Sequence, residues 1–192
     1  LPRLANGPAA SFPRAYAIAL ELIAHVDGRV DAVSLNGFIS AYQSVEPLKL
    51  GELWAIPLML RLALIENLRR VGTRIASGTM DRSRAGIWAD QMLEVAEKKP
   101  KNLMLVIADM ARSEPPMSSA FVAELARRLQ GRSAALALPL TWIEQRLVEL
   151  DQTIEQMVQT EGQTQARAQV SVSNSIGSLR MLGAMDWREF VE

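Results

Sequence analysis

The chain has 192 residues, 49% of them apolar and 22% charged, near the globular average, so a sizeable core is within reach and neither a disordered nor a membrane-resident chain is expected. Lys+Arg and Asp+Glu both number 21, a net charge of +0, so no global field favours nucleic acid as a partner. With no cysteine and one histidine, disulfides, thiolate metal sites, a cysteine nucleophile and every multi-histidine metal motif are excluded.

Aromatic residues are only 5%, while Ala, Leu and Met are plentiful, a mixture that favours helices because strands draw on aromatic and β-branched side chains. After an irregular lead-in over residues 1–10, Ser11 offers an N-cap. Pro13 stands in the first turn of a helix whose stripe, Tyr16, Ile18, Ala19, Leu22, Ile23 and Val26, stops at Gly28. Asp31 caps a second helix through Val33, Leu35, Phe38, Ile39 and Tyr42, with Asn36-Gly37 an interior weakness and Pro47 at or just beyond its end.

A third helix, residues 50–77, is the most apolar segment, with Gly78 its expected stop. Pro57 cannot donate to the carbonyl of Leu53, so a kink or two shorter helices are expected. The expected buried face is Leu58, Leu62, Ile65, Leu68 and Ile75, and Glu66 is placed to pair with Arg69 and Arg70. Its apolar run over 53–60, resuming at 62–65 after Arg61, falls short of the ~20 residues a bilayer span needs.

Asp81 begins a fourth helix through Ile87, Trp88, Met92, Val95 and Ala96, closed by Glu97-Lys98-Lys99-Pro100. A fifth runs from about Lys101 through Leu103, Leu105, Val106, Ile107 and Met110 until Pro115-Pro116 forbids continuation. Ser118 or Ser119 caps a sixth through Phe121, Val122, Leu125 and Leu129, ending at Gly131.

In the last third, Leu140, Ile143, Leu147, Leu150, Ile154 and Met157 step by three and four, a heptad spacing. The stripe lapses around Gly162 and returns at Ala168, Val172, Ile176, Leu179 and Leu182. One helix over 139–182 would be roughly 65 Å long at about 1.5 Å per residue, so it is expected to overhang, bend or break near Gly162. Asp186-Trp187-Arg188-Glu189 has the form of an N-capping box. With the absence of an initiator Met at Leu1, it suggests a segment of a longer protein. The expected organisation is all-α: a bundle of short helices over 1–131 and a long helix or helix pair over 132–192, packing on the bundle or extending from it, together one structural unit.

Chemistry-bearing patterns are sparse. His25 falls in the last turn of the first helix, where its cationic form suits the dipole, and reads as structural. No G-x-S-x-G, G-x-G-x-x-G or Walker motif is present, and no Asp-x-Asp of the kind that holds a nucleotide-sugar metal. Asp90, Glu94 and Glu97 share a face of the fourth helix and read as a solvated face rather than a carboxylate pair. No catalytic, cofactor-binding or metal-binding residue is assigned, and no cofactor is expected.

Arg61, Arg69, Arg70, Arg74, Arg82 and Arg84 gather cations in one stretch that suits anionic lipid or phosphate, against interleaved acids that favour an ordinary surface. Trp54, Trp88, Trp142 and Trp187 read as core or interface anchors. The heptad stripe packs within the chain or pairs with a second copy, so a self-associating or partner-binding helical module is an alternative function.

Two stretches carry a resemblance. One runs Tyr42-Gln43-Ser44-Val45, then Leu50-Gly51-Glu52-Leu53-Trp54-Ala55-Ile56-Pro57, and on to Leu64-Ile65-Glu66-Asn67-Leu68-Arg69-Arg70. The other runs Val170-Ser171-Val172-Ser173-Asn174-Ser175-Ile176, then Leu179-Arg180 and Asp186-Trp187. Both resemble the cytosolic N-terminal region preceding the membrane glycosyltransferase part of cyclic β-1,2-glucan synthases, large bacterial inner-membrane proteins. The resemblance implies a non-catalytic helical scaffold on the cytoplasmic side of the membrane, partnered by the other domains of its own polypeptide. Those would hold the UDP-glucose transferase and a phosphorylase-like part, and no catalytic residue of the family falls on a position of this chain.

Overall fold

Among the described residues the helix-forming composition is realised as seven α-helices: α1 Arg14–His25, α2 Ala32–Gln43, α3 Leu50–Lys98, α4 Leu103–Arg112, α5 Ser119–Leu129, α6 Ala137–Val148 and α7 Ile154–Ala184. The computed structural model describes residues 1–6, 10–185 and 187, and among these the only extended pairing is an isolated bridge between Arg3 and Pro13. The all-α class and the long C-terminal helix expected from the sequence both form. Of the expected capping box at the end of the chain, Asp186, Arg188 and Glu189 lie outside the described residues.

The chain forms two compact units, the first made of Leu1–Thr73 with Arg167–Glu192, the second of Arg74–Ala166. The boundaries of these units fall inside α3 and α7. The core of the first unit gathers Ile18, Leu22 and Ile23 of α1, Leu35 and Ile39 of α2, Ile56, Leu60 and Leu64 of α3, and Leu182 of α7. The core of the second gathers Ala89 and Met92 of α3, Leu103 and Met110 of α4, Phe121 and Leu125 of α5, Ile143 and Leu147 of α6, and Ile154 and Met157 of α7. Four of the six heptad positions are therefore buried within a single chain, while Leu150 is exposed.

Several caps form as their residue types dictate. Asp31 and Ser34 make a reciprocal capping box on α2, and Ser118 accepts from the Phe121 amide to start α5. Gly28 and Gly131, at φ 75 and 72, take the left-handed conformation past helix ends. Ser11 does not cap α1. It sits at φ 71 with its amide bonded to the Leu4 carbonyl, and α1 begins three residues later at Arg14.

The helix expected to stop at Gly78 instead continues as α3 for 49 residues, through Pro57 and past Asp81. A mid-helix glycine costs only ~1 kcal/mol relative to alanine, and packing outweighs it here. A Cβ at Gly78 would lie 3.4 Å from Arg82 Nη1 and 3.8 Å from the Ala120 Cβ, ordinary van der Waals contact, so an alanine would fit beside α5. Asp81 does not start a helix, because its carboxylate accepts from the Ser118 hydroxyl at 2.8 Å. Pro57 is flanked by buried Ile56, Met59 and Leu60, which hold both sides of it in one core.

The expected break near Gly162 lies instead between α6 and α7. Asp151 takes φ 54, the Gln152 amide bonds to the Leu147 carbonyl at 3.0 Å and the Asp151 amide to that of Val148 at 3.1 Å, a Schellman closure of α6. Thr153 and Gln156 then exchange side-chain-to-amide bonds at 3.2 and 2.9 Å, a capping box that opens α7. At Gly162 the helix is bridged by the 2.8 Å bond from Gln165 to Glu161. Thr153→Ala is expected to cost about 1 kcal/mol, and Asp151→Gly to gain about 0.5 kcal/mol by relieving the left-handed backbone. Both are read from urea unfolding monitored by circular dichroism.

Candidate functional site

Arg14, on the first turn of α1, is buried, and its guanidinium meets two segments that follow α2. Nε and Nη2 donate to the Glu52 carboxylate at 2.9 and 2.6 Å, Nη2 also reaches the Pro47 carbonyl at 3.2 Å, and Nη1 bonds to Glu46. The Tyr42 ring lies 6.0 Å from the guanidinium carbon, within cation–π range. Glu52 additionally accepts the Lys49 amide at 3.0 Å, closing the N-terminus of α3. The hydrogen bonds from Arg14 outweigh burial and hold the Glu52 carboxyl below its ordinary value, while those to Glu52 hold the arginine above its own.

A second polar cluster lies along the C-terminal half of α7. Of the stripe expected there, Ala168, Val172, Ile176, Leu179 and Leu182, Leu182 is buried and Ile176 is exposed, and the buried positions beside Leu182 are Ser171, Ser175 and Ser178. Spacing of four, three and four puts these on one side of the helix, and small side chains let the turn after α1 approach. Ser178 Oγ accepts from the Val30 amide at 2.8 Å and donates to the Gly28 carbonyl at 2.7 Å. Asn67 of α3 donates to Ser171 Oγ and Ser175 Oγ at 3.1 and 3.0 Å, and Asn174 donates to the Asp27 carbonyl at 3.2 Å. A Cβ on Gly28 would stand 2.5 Å from Ser175 Oγ, so this position requires glycine for space as well as for its φ of 75.

The two stretches that carry the sequence resemblance, more than a hundred residues apart, therefore meet in the first unit. Asn67 belongs to one stretch, Ser171 and Ser175 to the other. Arg61, from the first stretch, donates to the Leu182 carbonyl at 2.9 Å, and Trp187 Nε1 reaches the same carbonyl at 3.2 Å.

In the second unit Glu161 is buried and accepts from Arg82 at 2.6 Å, Ser119 at 2.9 Å and Gln165 at 2.8 Å, tying α3, α5 and α7. His25 ends α1 on the surface. Asp90, Glu94 and Glu97 are exposed on α3, Asp90 paired with Arg128 and Glu94 with Lys98. Arg69 and Arg70 pair with Glu66 as their spacing predicts, and Arg84 with Asp81. The arginine stretch is thus divided between both units. Trp88 and Trp142 pack against the core of the second unit and Trp187 against that of the first, whereas Trp54 is exposed.

Sequence reading passed over Arg14, Glu52 and Glu161 because buried charge looks like surface charge until its partner is known. The serine face had a legible signal, Ser171, Ser175 and Ser178 at helical spacing, obscured by an apolar stripe beside it. Among the described residues no buried side-chain nitrogen or oxygen lacks a hydrogen-bond partner. These clusters direct their hydrogen bonds at one another, which positions helices and loops.

Arg14→Met leaves Glu52 buried without its cation, and a loss of about 3–5 kcal/mol is expected, most of it recovered when Glu52→Leu is added. Because the folded carboxyl is held below 4.5, its contribution is present above the unfolded value and is lost as pH falls through the folded one. Urea midpoints of the unaltered chain should drop as pH falls below 4.5 more steeply than those of the double variant. Gly28→Ala is expected to lose at least about 1 kcal/mol, and adding Ser175→Ala should restore only the steric part.

No family model matches this chain. It is 31% identical over 180 residues, 94% of its own length, to the cyclic beta-(1,2)-glucan synthase NdvB of Rhizobium meliloti (strain 1021). The chain spans 6% of the length of that curated relative, so the likeness is to one segment of the synthase.

Proposed function

We infer that the chain is a non-catalytic helical scaffold segment of a membrane-bound cyclic β-glucan synthase, a glucosyltransferase that uses UDP-glucose in its other domains. The observation that carries this is the extent of the match: similarity to NdvB runs over 94% of the chain, a whole-segment likeness rather than a shared short motif. Supporting it, residues of the resembling stretches, Glu52, Arg61, Asn67, Ser171 and Ser175, are engaged with the chain's own side chains and carbonyls. On this reading those stretches are alike because they build the same packing. The segment belongs on the cytoplasmic side of a bacterial inner membrane, with the remaining domains of its polypeptide as partners.

Two measurements test it. Calorimetric titration of the isolated chain with UDP-glucose is expected to give no heat of binding, and micromolar affinity would overturn the non-catalytic assignment. The gene, read beyond both ends of this segment, is expected to encode a membrane glycosyltransferase in the same frame. A frame with no such domain would overturn the family assignment.

A further inference from the structure

The face of α3 that the apolar pattern predicts to be buried is instead turned outward in the first unit. Leu50, Trp54, Leu58, Leu62 and Ile65 are each between 44% and 64% exposed. Four of them stand at spacings of four, four and seven, one side of the helix, with Leu62 at its edge. The opposite side, Glu52, Ile56, Met59, Leu60, Ala63 and Leu64, is buried. Around the outward stripe the accessible charge is cationic. Lys49 precedes it, Arg61 lies within it half-buried with its guanidinium on the Leu182 carbonyl, and Arg69 and Arg70 follow it, their side chains 65% and 50% exposed. Of the two carboxylates in the same stretch, Glu52 is buried against Arg14 and Glu66 is shared between Arg69 and Arg70.

We propose that this stripe is a docking surface for an anionic lipid bilayer, with α3 lying against the headgroups over residues 50–65. An amphipathic helix binds that way when its apolar side chains enter the acyl boundary and its cations meet headgroup phosphates. No described helix is long and apolar enough to cross a membrane, so the contact is peripheral. Size and charge argue against a second copy of the chain. Residues 50–65 extend ~24 Å, and a strip ~10 Å wide covers roughly 250 Å², about a third of the ~800 Å² per partner that a stable protein interface buries. Pairing stripe with stripe would also bring two sets of cations together with only Glu66 to meet them. The inference does not rest on the glucan reading, since a lipid-bound helical segment of any parent protein would show it.

The full 192-residue chain is floated with vesicles of phosphatidylcholine alone and with about 30 mol % phosphatidylglycerol added. Partition is expected to be at least about tenfold higher on the anionic vesicles, with loss of that gain at high salt. Leu58→Ser/Ile65→Ser changes only exposed side chains, so its melting curve should match the unaltered chain while its partition falls about tenfold. Trp54→Phe should remove the blue shift of tryptophan emission seen on anionic vesicles. Equal partition on both vesicle types, or none on either, overturns the proposal. So does an unchanged double variant, and so does a concentration-dependent dimer in sedimentation equilibrium that the double variant abolishes.

Discussion

The rotation of α3 about its own axis in the first unit depends on one ion pair. Residues 53–65 are apolar on nearly every side apart from Arg61, so hydrophobic burial alone would accept either face with little difference in area. The Arg14 guanidinium removes that degeneracy. Once it enters the core it requires a carboxylate there, because an unpaired buried charge costs several kcal/mol, and Glu52 is the partner that also closes the first turn of α3. With Glu52 facing inward, Ile56, Met59 and Ala63 follow it at spacings of four, seven and eleven, and Leu50, Trp54 and Leu58 are left outside.

The same dependence explains which features were legible in the sequence. Helix class, the Asp31, Ser118 and Gly131 boundaries and the Glu66 pairs are local, each decided by residues within four positions, and each forms as its chemistry dictates. The face of α3 was misread because a glutamate in an apolar helix looks like the solvent side, and the apolar residues opposite it look like the core. Only Arg14, 38 positions away, reverses that assignment. The break between α6 and α7 was legible in principle, since Thr153-Ile154-Glu155-Gln156 has the form of a capping box. It was hidden by a heptad stripe that continues across it, with Ile143 and Leu147 before the break and Ile154 and Met157 after it all buried in the second unit.

Glycine was an unreliable stop signal for a related reason. Gly78 and Gly162 lie inside helices, whereas Gly28 ends a turn, and nothing in their immediate neighbours separates the cases. What separates them is the element that arrives opposite. Ala120 of α5 comes close at Gly78, nothing comes within 4 Å of a Cβ at Gly162, and the Ser175 hydroxyl comes within 2.5 Å at Gly28. Gly78 and Gly162 have room for a Cβ and are small local costs, while Gly28, with its positive φ and the Ser175 hydroxyl inside contact distance, is a condition of the fold.

Buried polar contacts restrict exchange more tightly than an apolar core does. An apolar core tolerates exchange among Leu, Ile and Met for roughly 1.5 kcal/mol or less when volume is kept, so core positions leave a faint trace between distant relatives. A serine that bridges the Val30 amide and the Gly28 carbonyl, or an asparagine that spans two serine hydroxyls, has no substitute of equal shape and hydrogen-bonding capacity. Asn67, Ser171 and Ser175 are thus committed to packing within the first unit.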